Sequence, residues 1–412
     1  RDQHTVQLPD GTKIALHQLP SGIFSKQATV VLGKGMVIDP GDLLLELQQA
    51  QAVSATAKVK LGKIFLDEMA VASLDTHRAF ESVLKGWQTG SKGSTGRGIS
   101  PAYSDVLLRH PVRLRDICGP DAKQILTEHY RLYEALITGL RGNLAKTPVP
   151  RLEGDTIEVG SLQEFLKRTM SQAQSLASYC RDVNAFVEKN WNDHSVSFVF
   201  EKAQAVGLDA RWGVYPDITA SNTAFDGIFA SSEAQINHLE IKKRIAVIKA
   251  TYSSSVGSRR LPTMMAGNKK LDGLADKIRT DAHEYGATTG RPRDIAFLDI
   301  PALRFYAKVG NITHHVLTHM DIAYTDTPIK VCVGYKKNGK MVDYRPDQVF
   351  LDSVTPVYKE LPAWDGASIT NCKKAADLPK EARSFLDFMS KELDTKILMI
   401  TTGPQRHQGM KV

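Results

Sequence analysis

Cysteine is scarce in this 412-residue chain: the four are Cys118, Cys180, Cys332 and Cys372, far apart and without a CxxC pair. That argues against a zinc site or a disulfide framework and makes a reducing cytoplasm the natural location. No stretch approaches the ~18 consecutive apolar residues of a membrane-spanning helix, and the first residues do not read as a secretory signal. No membrane partner is expected. No run of five or more basic residues occurs, although the net charge is +8. The charge is therefore read as a solvated surface with one positive cleft for phosphate-rich small substrates, and a nucleic-acid partner is not expected. A GxxxxGK[ST] phosphate loop is missing, as are internal repeats and long linkers. What remains is ordinary globular composition, 42% apolar and 24% charged, in a chain long enough for two domains or one large α/β domain. The chain opens at Arg1 rather than Met, with a strand-like stretch by Val6, which predicts a further segment ahead of Arg1.

The hydrophobic pattern alternates between periods. Val30 to Asp39 reads as strand, turn, strand, and Pro40 opens a helix near Leu43 to Gln51. Lys60 to Ala70 reads as a strand region, Asp121 to Leu140 as a helix, and Ser161 to Glu188 as a second long helix. Short strands are expected at Val196–Phe200, Ile245–Tyr252, Ile295–Asp299, Ile312–Leu317, Ile329–Tyr335 and Lys396–Thr401, with a helix at Ala302–Lys308. Such alternation predicts an α/β fold with a large, mostly parallel central sheet flanked by helices. Ligands of such sheets sit in the loops at the carboxyl ends of the strands.

Several of those loops carry polar chemistry. Gly286 to Arg293 puts Thr288 and Thr289 before Gly290 and two arginines, Arg291 and Arg293. Guanidinium groups match carboxylates bidentately, and hydroxyls and backbone amides complete an anion cradle. The plain alternative is a basic surface turn. The Gly93–Gly98 loop, with Thr95, suits a phosphate cradle or a flexible connection. Gln204, in the polar loop from Glu201 to Thr223, has the donor and acceptor needed to read a purine edge. The alternative is a loop knit together by its own polar groups. Asp321, after an apolar strand, offers a carboxylate that accepts two hydrogen bonds from N1–H and the 2-amino group of guanine, a pair adenine lacks. The spacing of His315 and His319 resembles a metal pair only on a helix, and this stretch reads as strand. Arg109 is placed on a helix, and Thr401 to Arg406 is a strand running into a turn.

Nine blocks, taken in order, resemble those of the adenylosuccinate synthetase family: Ala15–Ile23, Gly93–Asp105, Tyr215–Thr223, Val256–Thr263, Glu284–Arg293, Leu317–Asp321, Lys330–Tyr335, Pro356–Trp364 and Thr401–Arg406. The resemblance covers nearly the whole chain. It implies the P-loop-NTPase-like fold of that family, as a single domain over 1–412 with a helical subregion at about 100–190. It also implies a ligase that joins L-aspartate to the 6-position of IMP. The γ-phosphate of GTP first moves to the 6-oxygen, and the aspartate amine then displaces it, with Mg²⁺ present. By the same resemblance, Thr95, Thr219 and Arg109 hold the nucleotide 5′-phosphate, Arg109 coming across a homodimer interface. Gln204 bonds the purine and Val256 lines the ribose. Thr288, Thr289 and Arg291 grip aspartate, and Arg293 bridges toward the nucleotides. Asp321 reads guanine beside His319, with Thr401, Gly403 and Pro404 shaping the base pocket. His4 matches the histidine that contacts the transferring phosphate, and the carbonyl of Gln3 occupies a Mg²⁺-ligand position. Phosphoryl transfer of this kind needs positioning and charge neutralisation more than covalent help.

Departures from the family pattern are also legible. Its GDEGKGK loop, with the aspartate base and lysine, precedes the position of Arg1. Arg1-Asp2-Gln3 stand for Asn-Ala-Gly, and Glu201-Lys-Ala-Gln-Ala205 for EGAQG. His319 replaces a lysine of the guanine motif, and Asp294 a basic residue. These changes keep open a ligase for another purine nucleotide such as dGMP, with ATP in place of GTP, and a nucleotide-binding pseudoenzyme.

Overall fold

The computed structural model describes residues 4–87, 95–231, 236–255, 259–267, 271–286, 290 and 292–412. The chain divides into two compact units, Arg1–Gln204 with Thr219–His238, and Ala205–Ile218 with Leu239–Val412.

The first unit opens with an antiparallel hairpin, His4–Gln7 against Lys13–Leu16. Three parallel strands follow in the order Thr29–Leu32, Lys63–Asp67, Cys180–Arg181. The helix Pro40–Ala57 makes the crossover between the first two. It starts where the sequence predicts, because Asp39 accepts the Asp42 N–H at 2.7 Å and Pro40 sets the first-turn φ. Val37–Ile38 and Val71–Ala72 form a second parallel pair. Helices Asp75–Lys85, Ile99–Leu108, Leu114–Cys118, Ala122–Gly139, Leu162–Leu176 and Asn184–Trp191 complete the unit, with one hairpin, Pro148–Pro150 against Thr156–Glu158. Leu16, Leu32, Leu43, Leu66, Leu126, Tyr133 and Phe165 are in its core.

Two sequence expectations fail in this unit. The helix expected over Ser161–Glu188 stops at Leu176. A 3-10 turn and the strand Cys180–Arg181 interrupt it before Asn184–Trp191. The sheet supplies the reason: Cys180 and Arg181 pair with Leu66 and Asp67, and tertiary pairing overrides local helical spacing. Val196–Phe200 forms no strand. Phe198 instead packs edge-on against Trp191, at 5.0 Å between centroids, and stacks with Phe200 at 6.1 Å. Val199 is left 92% exposed.

In the second unit, parallel strands Ile245–Lys249, His314–Thr318 and Lys396–Thr401 lie side by side, and Gly409–Lys411 closes antiparallel on the last. A further sheet pairs Leu298–Asp299 parallel with Ile329–Lys337, which carries Thr355–Leu361 and Lys340–Val342 antiparallel. The single strand expected over Ile295–Asp299 is two, because Asp294–Ala296 pairs instead with Ser253–Ser255. Helices Ile300–Val309 and Lys380–Leu393 cover a core of Leu298, Leu317, Val331, Trp364, Phe385 and Ile400. The fold is thus α/β with parallel strands and flanking helices, the parallel strands being shared among several small sheets. Among the described residues, no helix is long and apolar enough to cross a membrane.

Candidate active site

In the first unit, His4 begins the opening hairpin. Its Nδ1 lies 3.5 Å from Glu201 Oε1, while Nε2 is buried without a hydrogen-bond partner. Ser21 donates to the other Glu201 oxygen at 3.3 Å. Glu201 therefore orients the ring and leaves one nitrogen for a ligand. Gln204, three residues on, is half-buried with φ 69°, and Thr219 is half-buried.

The glycine-rich loop enters the helix Ile99–Leu108 through a clamped turn rather than a free linker. Gly98 has φ 73° and donates to Glu81 Oε2 at 2.6 Å. A Cβ there would lie 2.8 Å from His77 Cβ, so only glycine fits. The Arg97 carbonyl accepts from Ser73 Oγ at 3.1 Å, and its buried guanidinium meets Asp42 Oδ2 at 3.2 Å. Asp42 and Asp39 also flank Arg78, fully buried, at 2.7 and 2.5 Å. Two cations and two anions balance, as burial of charge requires. Thr95, just before this turn, is exposed. Arg109 is not in the helix body: it is the exposed C-cap, with φ 69°. Thr95 and Arg109 thus flank opposite ends of a 10-residue helix, roughly 15 Å long.

Close by, His77, Asp105 and His129 are buried with ligand atoms within 4.8 Å of one another. They form a hydrogen-bonded network. His77 Nδ1 accepts the Leu74 N–H at 2.9 Å, so Nε2 carries the proton and donates to Asp105 at 2.9 Å. Tyr133 donates to the other Asp105 oxygen at 2.9 Å, and His129 Nε2 meets Thr76 Oγ1 at 2.8 Å. Burial, with His77 and His110 nearby, holds His129 well below the usual imidazole range.

The second unit gathers the remaining charge around Glu284, which is 2% exposed. Lys249 Nζ is 2.5 Å from Oε1, Tyr252 donates to the same oxygen at 2.6 Å, and Arg293 Nη1 reaches Oε2 at 3.2 Å. Burial works against the Glu284 charge, but Lys249, Tyr252 and Arg293 outweigh it and hold the carboxyl below its ordinary range. The backbone repeats the link, with Arg293 N donating to Glu284 O at 2.9 Å, Tyr285 bridging Pro292, and Gly290 N donating to Gly286 O at 2.7 Å. The described ends of the Gly286–Arg293 segment are therefore held together. Thr288, Thr289 and Arg291 in it, like Val256 and Gln3, lie outside the described residues.

Beside this cluster the strand His314–Thr318 ends in His319, with φ 58°, and Asp321. The His319 ring meets the Tyr252 ring edge-on at 5.8 Å. Burial, reinforced by Lys249, lowers its pKa, so a neutral imidazole stands where the family pattern has a lysine. Asp321 Oδ1 is buried and accepts no hydrogen bond. Its backbone is fixed on both sides: Met320 N donates to Thr401 O at 3.0 Å, and Trp364 Nε1 donates to Met320 O at 2.9 Å. Gly366 packs so tightly that a Cβ would collide with the Asp321 carbonyl. Thr401 ends its strand, and a Cβ on Gly403 would collide with Gln408, which holds the turn through Gln405 N at 3.0 Å. Pro404 is exposed.

The structure thus brings Arg293, His319, Asp321 and Thr401 into one neighbourhood of the second unit, and His4 against Glu201 in the first. Glu284, Lys249, Gly366 and the Arg78 network escaped sequence reasoning. Of these only Glu284 carried a local signal, as an acid heading the arginine-rich segment. In the loop after Gln204, Asp209 satisfies the bland expectation: it is 1% exposed and accepts the Arg211 and Trp212 amides.

A sequence model described as adenylosuccinate synthetase matches residues 2–410. An adenylosuccinate synthetase of Clostridium botulinum is 32% identical over 413 residues, spanning 99% of this chain and 90% of its own. One from Chlorobium luteolum is 32% identical over 411 residues, spanning 98% and 88%. Among solved structures, the fully ligated adenylosuccinate synthetase of Plasmodium falciparum superposes with a TM-score of 0.84 at 26% identity, covering 100% of this chain and 91% of that one. The cyanophage S-2L succinoaminodeoxyadenylate synthetase, with a TM-score of 0.53 at 15% identity over 100% and 84%, shares the fold alone. This chain therefore belongs to the adenylosuccinate synthetase family, ligases that form a carbon–nitrogen bond.

Proposed function

We propose that the chain joins L-aspartate to C6 of IMP with GTP as phosphoryl donor. The observation that carries the guanine reading is Asp321 Oδ1, a buried carboxylate oxygen without a protein donor. A buried acceptor left unpaired costs about 1–3 kcal/mol, and the N1–H and 2-amino group of guanine relieve it, whereas adenine offers no such pair. ATP and dGMP remain the competing substrates, and the likeness to the phage enzyme supports them at the level of fold only.

In this reading residues 1–412 act as one synthetase domain and every step is one of positioning. Thr95 and Thr219 hold the IMP 5′-phosphate, Gln204 orients the base and Val256 lines the ribose. Arg109 sits a helix length from Thr95 in its own chain, so it serves the phosphate of a second copy, which makes the enzyme a homodimer. The 6-oxygen attacks the γ-phosphorus and GDP leaves. The unpartnered nitrogens His4 Nε2 and Arg293 Nε supply donors to phosphoryl oxygens. Thr288, Thr289 and Arg291 hold the carboxylates of aspartate, whose amine attacks C6 and expels phosphate with the 6-oxygen. Thr401, Gly403 and Pro404 border the guanine.

Mg²⁺ supplies charge neutralisation on the triphosphate when bound, with the Gln3 carbonyl as its protein ligand. The group of three titratable residues among those described, His77, Asp105 and His129, does not suit it, since two of its donors are nitrogen and Mg²⁺ takes oxygen. The free thiols fit a cytoplasmic enzyme. The test is phosphate release and adenylosuccinate formation with IMP, GTP, Mg²⁺ and aspartate, against ATP and dGMP as alternatives. Release that requires aspartate and prefers IMP with GTP supports the reading. Nucleotide binding without aspartate-dependent release refutes it.

A further inference from the structure

Two of the four cysteines, 62 positions apart in sequence, meet in the fold: Cys118 Sγ and Cys180 Sγ are 3.9 Å apart. Cys118 is the last residue of the helix Leu114–Cys118, and Cys180 is the first of the strand Cys180–Arg181, paired with Leu66. Both are half-buried against the core of the first unit, and both are free thiols. We propose that this pair is a modification site, closing to a reversible disulfide when a hydroperoxide reaches it.

The geometry favours this over isolated oxidation. A disulfide needs sulfurs at about 2.05 Å, so the pair must close by roughly 2 Å, within reach of χ1 rotation and small backbone shifts. Both sulfurs sit on regular elements, which holds them at this approach. Cys118 Sγ also contacts Ala173 O at 3.5 Å, so the remaining S–H at the contact is that of Cys180. A sulfur that accepts a hydrogen bond ionises more easily, and the Cys118 thiol is accordingly pulled below its usual range. Cys118 is then the attacking thiolate. It takes one oxygen from the peroxide, becoming a sulfenic acid as water leaves. Cys180 attacks that sulfur, the S–S bond forms and the hydroxyl departs with the Cys180 proton as a second water. Two thiols and one peroxide give one disulfide and two waters. Cys332, fully buried, and Cys372, whose Sγ lies 3.5 Å from the Asp377 carbonyl, have no thiol neighbour among the described residues.

The experiment treats the intact protein with hydrogen peroxide, blocks remaining thiols with N-ethylmaleimide and maps peptides by mass. The expected product is a single intramolecular cross-link between the Cys118 and Cys180 peptides, with two of the four thiols consumed, dithiothreitol restoring both and the melting temperature rising on oxidation. Cys180→Ser leaves Cys118 as a sulfenic acid trapped by dimedone, and Cys118→Ser leaves Cys180 alkylatable. Full alkylation of Cys118 and Cys180 after an exposure that oxidises Cys372 would overturn the proposal. So would oxidation of wild-type Cys118 to sulfinic acid without the cross-link.

Discussion

The two units of this chain bury charge in opposite ways. In the first, Arg78 and Arg97 face Asp39 and Asp42, and the charges cancel among themselves, although Arg78 Nε is left without a partner. In the second, Glu284 is similarly saturated by Lys249, Arg293 and Tyr252, yet Arg293 Nε and Asp321 Oδ1 beside it have no partner. A network closed in charge positions backbone, here the turn that begins the helix Ile99–Leu108. The one around Glu284 leaves two polar atoms for the nucleotide proposed above. The difference teaches that neither buried charge nor one unanswered atom marks a site by itself, since Arg78 Nε is unanswered too; the case for the second unit rests on two such atoms, Arg293 Nε and Asp321 Oδ1, beside Glu284 at the carboxyl end of a parallel strand.

The largest blow to the comparison falls on the closed network. Arg78→Met leaves the buried carboxylates of Asp39 and Asp42 without the guanidinium they share. It is expected to destabilise the protein by about 3–5 kcal/mol in urea titrations. A loss under about 1 kcal/mol would mean that the network is not what holds that turn.

A smaller effect tests the interior of the second unit by pH. Burial pushes the Asp299 carboxyl up to about 6, against the Tyr335 and Ala302 hydrogen bonds and Arg259. The native state then binds the proton more tightly than the unfolded chain, whose carboxyl titrates near 3.9. The contribution of Asp299 is therefore complete below about pH 4 and is lost as pH rises through about 6, an amount on the order of 2–3 kcal/mol. Asp299→Asn should remove that fall from the difference between variant and wild-type stability curves. Parallel curves from pH 4 to 7 would contradict it.

Gly366→Ala is milder in stability but reaches the open site. Its methyl group must displace the Asp321 carbonyl, at a cost of about 1–3 kcal/mol. The KM for GTP should rise several-fold while the KM for aspartate holds. Equal changes in both would point to general loosening.

The sequence made some of this legible and hid the rest for physical reasons. Alternation and the Asp39–Pro40 start placed strands and helices, since those signals are local. Val196–Phe200 misled because alternating apolar residues serve aromatic packing on Trp191 as well as a sheet. The break after Leu176 depends on a partner strand more than a hundred residues earlier in the chain. The Arg78 network joins residues 36 and 55 apart, which no motif records. Asp321 stands out in the sequence as a carboxylate after an apolar strand, the family resemblance points to the same residue, and the structure adds that its Oδ1 is buried and unanswered. Cys118 and Cys180 looked unrelated because only the fold joins them.

The most direct test of the central claim is Asp321→Asn, comparing melting temperature with kcat/KM for GTP and for ATP. Because Oδ1 makes no protein hydrogen bond, the melting temperature should stay near that of wild type. The kcat/KM for GTP should fall about 100-fold, equivalent to about 2.7 kcal/mol, and the preference over ATP should collapse. Unchanged GTP kinetics and an intact preference would contradict the account and place guanine recognition elsewhere.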